Sequence, residues 1–109
     1  DIQDLENPPP KKNAKIVFEG HEVTNPVVVI DPLPNGYGEK EIRETINELR
    51  SFEMVVCDSA TKIGQKRAVL MPKLASERRI MLKALSQKII DNGNLHVYKY
   101  KCDSIPPPL

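Results

Sequence analysis

Pro26 is followed by four consecutive apolar residues, Val27, Val28, Val29 and Ile30, and then by Asp31-Pro32-Leu33-Pro34-Asn35-Gly36, a run of turn formers. A short apolar run between such punctuation reads as a strand buried on both faces. The rest of the chain alternates β-branched runs with two helical patterns. Lys15 to Glu19 is strand-like, as are Phe52 to Cys57 and Lys66 to Met71, the last stopped by Pro72. Glu39 to Arg50 predicts a helix, because Ile42, Ile46 and Leu49 fall at i, i+4 and i+7. Glu39 and Glu41 lie in its first turn, where the helix dipole favours acids. Residues 74–91 predict a second helix with Met81, Leu82, Leu85 and Ile89 on its apolar face. Asp91-Asn92-Gly93-Asn94 would end it, with Gly93 as a left-handed cap. Leu95 to Lys101 is the last strand.

The order is β-β-α-β-β-α-β. Without the first run it is βαββαβ, the order of ferredoxin-like sandwiches. The expected class is therefore α+β: a two-layer sandwich with an extra N-terminal strand and both helices on one face of a mostly antiparallel sheet.

A chain of 109 residues is one domain at most. Pro8-Pro9-Pro10-Lys11-Lys12 and Pro106-Pro107-Pro108 favour extended polyproline backbone. Residues 1–13 and 103–109 are read as Pro-rich linkers around a folded unit over 14–102. No apolar run approaches the roughly 20 residues of a membrane span, and the first residues lack the basic and apolar regions of a signal peptide. The first residue is not Met, so a piece of a larger protein is expected. Two cysteines, Cys57 and Cys102, are too few for a disulfide framework or a four-ligand zinc site. Both are read as buried thiols in a reducing, intracellular setting, nuclear or cytoplasmic.

Charge is distributed unevenly. Residues 62–90 hold eight bases and one acid, Glu77, whereas residues 1–61 hold twelve acids and six bases. A one-sided basic segment suits a polyanion, because each neutralised phosphate releases counterions. Lys66, Arg67, Lys73, Arg78, Arg79 and Lys83 are the candidate phosphate contacts. Arg79 and Lys83 are one helical turn apart and share a side. Lys66 and Arg67 point to opposite faces of a strand. The alternative is a solvated helix face paired with Glu39, Glu44 or Glu48. On the last strand His96, Tyr98 and Tyr100 alternate and share a face. With Leu95 and Val97 turned to the helices, Tyr98 and Tyr100 face outward as a stacking platform, or as amphipathic cover for the sheet.

Two resemblances follow from these residues. The βαββαβ order resembles the RNA-recognition-motif family, which stacks bases on aromatics of its first and third sheet strands. The matching strands here, Val27 to Ile30 and Lys66 to Met71, contain no aromatic. The stacking site does not carry over, and a protein-interaction role, common in members without those aromatics, becomes plausible. Leu70-Met71-Pro72-Lys73-Leu74-Ala75-Ser76-Glu77-Arg78-Arg79-Ile80-Met81-Leu82 resembles the core of the Arg-x-x-x-His family of single-stranded nucleic-acid-binding domains. The Arg falls at Arg78; Leu82 stands where the His belongs.

An enzymatic reading rests on Asp31 and Asp58, each following a strand of what also reads as a βαβ unit. Two carboxylates there would hold Mg²⁺ for phosphoryl-transfer or nuclease chemistry; Asp is equally common in turns after strands. His21 and His96 lack partners at ligand spacing, and Asn35-Gly36-Tyr37-Gly38 lacks the Lys-Ser/Thr ending of a phosphate loop. The expectation is a non-enzymatic module without cofactor or metal that binds single-stranded RNA, with a protein-interaction module as the alternative.

Overall fold

The computed structural model describes residues 16–18, 20–23, 26–49, 52–90 and 93–109. The N-terminal linker assigned to residues 1–13 lies outside them. Among the described residues the chain runs β1 (Ile16–Phe18), β2 (His21–Val23), β3 (Val27–Ile30), α1 (Glu39–Thr45), β4 (Glu53–Asp58), β5 (Lys66–Met71), α2 (Ala75–Ser86), β6 (Ile89–Ile90), β7 (Gly93–Asn94) and β8 (Val97–Tyr100). A 3-10 turn at Cys102–Ser104 follows.

Four strands form one antiparallel sheet in the order β4-β5-β3-β8. Its register pairs Val29 with Val69 and with Tyr98. The central strands are the continuous apolar runs: all of β3 is buried, and so is β5 after Lys66. The outer strands mix exposed and half-buried residues, as strands do when only part of their surface is covered. Val28, Ile30, Ala68 and Leu70 face Ile42 and Ile46 of the α1 segment and Met81 and Leu85 of α2. The fold is thus α+β, with both helices on one sheet face. Among the described residues no helix is long and apolar enough to cross a membrane.

The opposite face is also closed. Val27, Val29, Val69 and Met71 form a second buried cluster with Cys102, and Val55, Cys57, Tyr100 and Ile105 pack against it. Residues 103–109, expected as a linker, instead lie on the sheet. The Pro106 carbonyl accepts from Arg67 Nη1 at 2.7 Å, and the Leu109 amide donates to the Ser59 carbonyl at 3.0 Å. The tail therefore passes from the end of β8, at one edge, to the loop after β4, at the other. A strand buried on both faces needs this second cover, since the helices supply only one.

Other departures are local. The first run is a hairpin, with β1 paired to β2 in a separate two-stranded sheet; Gly20, at φ +84°, makes its turn. Helix α1 ends at Thr45 rather than Arg50, although Ile42 and Ile46 are buried as the spacing requires. Thr45 Oγ1 bonds back to the Glu41 carbonyl at 2.9 Å and also meets the Tyr37 hydroxyl, so a β-branched residue tied to the preceding loop closes the helix. Burial pushes the Tyr37 hydroxyl above its ordinary pKa. Helix α2 stops at Ser86. Ile89 is in β6, largely exposed, and pairs with Asn94 of β7. Gly93 sits in a strand without the left-handed conformation a helix cap needs.

Candidate nucleic-acid interface

Helix α2 opens with a one-sided cap, since its N-cap residue Leu74 has no side-chain acceptor. The Glu77 carboxylate accepts from the backbone amides of Lys73, at 2.8 Å, and Leu74, at 3.1 Å. These amides have no partner within the helix, and a carboxylate three residues into it satisfies them while complementing the dipole. The lone acid of residues 62–90 is thereby engaged with the main chain.

Met81 and Leu85 bury one side of α2, and Arg78 and Leu82 flank that side, half-buried. Ser76, Arg79, Lys83 and Ser86 are exposed. Arg79 and Lys83 form the expected i, i+4 stripe, and Lys73 is exposed just ahead of the helix. Among the described residues, none of Lys73, Arg78, Arg79 or Lys83 has a carboxylate within ion-pair distance. Glu39 pairs within its own helix with Arg43, at 3.2 Å. Lys83 and Glu48 both line a shallow groove with Ile80, Ala84 and Gln87, without forming a pair. Lys99 joins the cationic set. Val97 packs on the helix side of β8, so strand alternation turns Lys99 the same way, exposed on a strand against which α2 packs. Alternation along residues 95–101 is the sequence signal for this placement, although Lys99 sits outside the basic segment of residues 62–90.

The remaining expected contacts lie elsewhere. Lys66 is exposed at the far end of β5 from Lys73 and donates to Asp58 at 2.8 Å. That hydrogen bond and charge hold the Asp58 carboxyl below its usual pKa and raise the Lys66 ammonium above its own. Arg67 is not at the surface. It is 1% exposed, with Nε donating to Cys57 Sγ at 3.3 Å and Nη1 to Pro106. On β5 it alternates with Ala68 and so points to the face covered by the tail. A buried guanidinium needs acceptors there, and a thiol and a carbonyl provide them. Arg67 therefore leaves the set of exposed phosphate contacts.

Tyr98 and Tyr100 also belong to the tail side. Their ring centroids are 6.1 Å apart, tilted by 34°. Tyr98 is 40% exposed, whereas Tyr100 packs against the cluster that contains Cys102. The cations of α2 and the tyrosines of β8 thus occupy opposite sides of the sheet and do not form one surface.

The tail bears on the thiols. Cys102 is 6% exposed, and burial raises its pKa, whereas Cys57 is half-buried on an edge strand. Iodoacetamide at about pH 8, near the ordinary thiol pKa, is expected to label Cys57 at least tenfold faster than Cys102. Peptide mass spectrometry checks this, and unfolding in urea should equalise the rates. Equal rates in the folded protein would mean that the tail does not shield Cys102.

Asp31 is 4% exposed. Its Oδ2 accepts from the Ala60 amide at 2.9 Å, and its Oδ1 from Thr61 Oγ1 at 3.2 Å and from Ser59 Oγ. Ser59 Oγ in turn accepts from the amides of Thr61 and Lys62, both at 2.9 Å. The carboxylate organises the loop after β4, while Asp58 is turned to Lys66. The two carboxylates do not converge, and among the described residues no three His, Cys, Asp or Glu side chains are grouped to hold a metal ion.

No family model and no curated protein matches this chain.

Proposed function

We propose that this chain is a non-enzymatic module that binds single-stranded nucleic acid, RNA foremost, on the outer face of α2. Arg79 and Lys83 contact phosphates, flanked by Lys73, Arg78 and Lys99. The observation that carries the reading is the state of the charges. Glu77 is committed to two backbone amides, and among the described residues neither Arg79 nor Lys83, both exposed, has a carboxylate within ion-pair distance. The frame is ferredoxin-like and close to the RNA-recognition motif in its order. Supporting this is the sheet order β4-β5-β3-β8, with α1 crossing from β3 to β4 and α2 lying between β5 and β8. Stacking on the central strands is no part of the proposal, since β3 and β5 carry no aromatic and the tail covers their open side. Free thiols at Cys57 and Cys102 support an intracellular setting.

The test is a titration of the chain into labelled single-stranded RNA at roughly 50 and 200 mM salt. About three phosphate contacts give a log–log slope near −2, at roughly −0.7 per contact for single strands. Binding that does not change with salt, or none at the lower salt, would sink the proposal.

A further inference from the structure

The tail is a peptide seated in a groove. Ile105 packs into the apolar cluster of the open face, with backbone φ −65° and ψ 123°, near polyproline values. The three prolines that follow keep the chain extended. Polyproline backbone advances ~3.1 Å per residue, so the steps from Ile105 to Leu109 cover roughly 12 Å. The three inter-strand gaps of a four-stranded sheet total roughly 14 Å, at ~4.8 Å each. The segment has the reach to traverse the central strands. The hydrogen bonds from Arg67 Nη1 to the Pro106 carbonyl and from the Leu109 amide to the Ser59 carbonyl both use main-chain atoms of the tail. The groove supplies what a proline-rich ligand needs. Val27, Val29, Val69 and Met71 give an apolar floor for a branched side chain, and Arg67, buried on a central strand, donates to a carbonyl. A proline lacks an N–H but keeps its carbonyl acceptor, so a buried donor is the complement it can use. Pro107, Pro108 and Leu109 are themselves exposed, and Leu109 keeps 66% of its surface in solvent. Ile105 and Pro106 are thus the half-buried part of the strap, and the residues beyond them face solvent.

We infer that the tail-covered face of the sheet is a docking groove for an extended, proline-rich segment of another protein, with a branched apolar residue ahead of the prolines, and that residues 105–109 fill it in cis until such a partner displaces them. A tethered occupant acts at an effective concentration of order millimolar, so it masks the groove against a weak free ligand. The surface is distinct from the outer face of α2 and stands whether or not that face binds nucleic acid.

The probe is a fluorescein-labelled peptide, Asp-Ser-Ile-Pro-Pro-Pro-Leu, the sequence of residues 103–109. It is titrated into the full chain and into an Ile105→Asp/Pro107→Gly variant, which unseats the tail and leaves every groove residue intact. The expected result is saturable binding to the variant at least tenfold tighter than to the native chain, lost when the peptide carries Asp in place of its Ile. Equal binding to both chains, or to neither, would overturn the inference. So would binding of single-stranded RNA to the unseated variant without binding of the peptide. If the variant does not fold, hydrogen exchange on the native chain decides. The Leu109 amide is expected to exchange at least a hundredfold faster than the amides of β3 and β5, since the strap opens on its own. Exchange of Leu109 at the rate of those strands would make the tail a fixed part of the fold and end the proposal.

Discussion

Asp31→Ala is expected to lower the stability of the domain by about 3 kcal/mol, read as a shift in the urea midpoint with the slope unchanged. The reason is the number of donors that would lose an acceptor. Ser59 Oγ, the Ala60 amide and Thr61 Oγ1 all converge on this carboxylate. Ser59 is 1% exposed, so water cannot replace Asp31 there, whereas Thr61 is exposed and regains a water partner. The cost is therefore less than three full penalties of ~1–3 kcal/mol each. Asp31→Asn keeps one acceptor oxygen and is expected to lose roughly half as much. The same experiment separates the scaffold role from a metal role. Adding Mg²⁺ should leave the midpoint of the native chain where it is, because a bound ion would raise it by mass action. An Asp31→Ala protein as stable as the native one would show that the loop after β4 holds without its anchor.

The fold was legible wherever burial on both faces leaves a continuous apolar signature. Val27 to Ile30 and Lys66 to Met71 are strands with the expected ends, because central strands have no solvent side to interrupt the pattern. Helical spacing found Ile42, Ile46, Met81 and Leu85, all buried. The misses share a cause. Ile90 pairs with Gly93, so Asp91 and Asn92 stand between two strands, and such turn formers mark a hairpin as readily as a helix stop; Ile89-Ile90 before them extends the apolar spacing of α2 by coincidence of period. Prolines announce extended backbone but not what the backbone lies on. So Pro106 to Pro108 read as a linker, although Cys102 and Ile105 supply the apolar contacts of a docked segment. Arg67 followed from the same omission. Strand alternation puts Lys66 and Arg67 on opposite faces, and without the tail either face reads as solvent for a cation. A cation in a strand that is otherwise apolar from Ala68 to Met71 was the available hint that something polar crosses there. The candidate site was legible in its helix and not in its assembly: Arg79 and Lys83 share a stripe as their spacing requires, but Tyr98 and Tyr100 lie across the sheet from them.

Reversing the charges at Arg79 and Lys83 separates the outer face of α2 from every other surface of the molecule. Both side chains are exposed and, among the described residues, lack a paired carboxylate, so the substitutions are expected to leave stability within about 0.5 kcal/mol. Their effect should fall on binding. For a single strand, each phosphate contact releases roughly 0.7 of a counterion. At about 0.1 M salt, neutralising both residues in an Arg79→Gln/Lys83→Gln protein should weaken binding about 25-fold and make the log–log salt slope shallower by about 1.4. Arg79→Glu/Lys83→Glu adds repulsion and should cost several hundredfold, again an order of magnitude set by counterion release. Lys62→Gln is the matched control. Lys62 is an exposed cation of the same basic segment, in the loop after β4 rather than on the helix, and its loss should change affinity by less than threefold. The slope decides between the two meanings of the basic segment. If the Gln pair lowers affinity and flattens the salt dependence together, the helix meets phosphates. If the affinity falls while the slope stays the same, Arg79 and Lys83 hold something other than a polyanion. The outer face of α2 would then be a protein surface that merely happens to be basic.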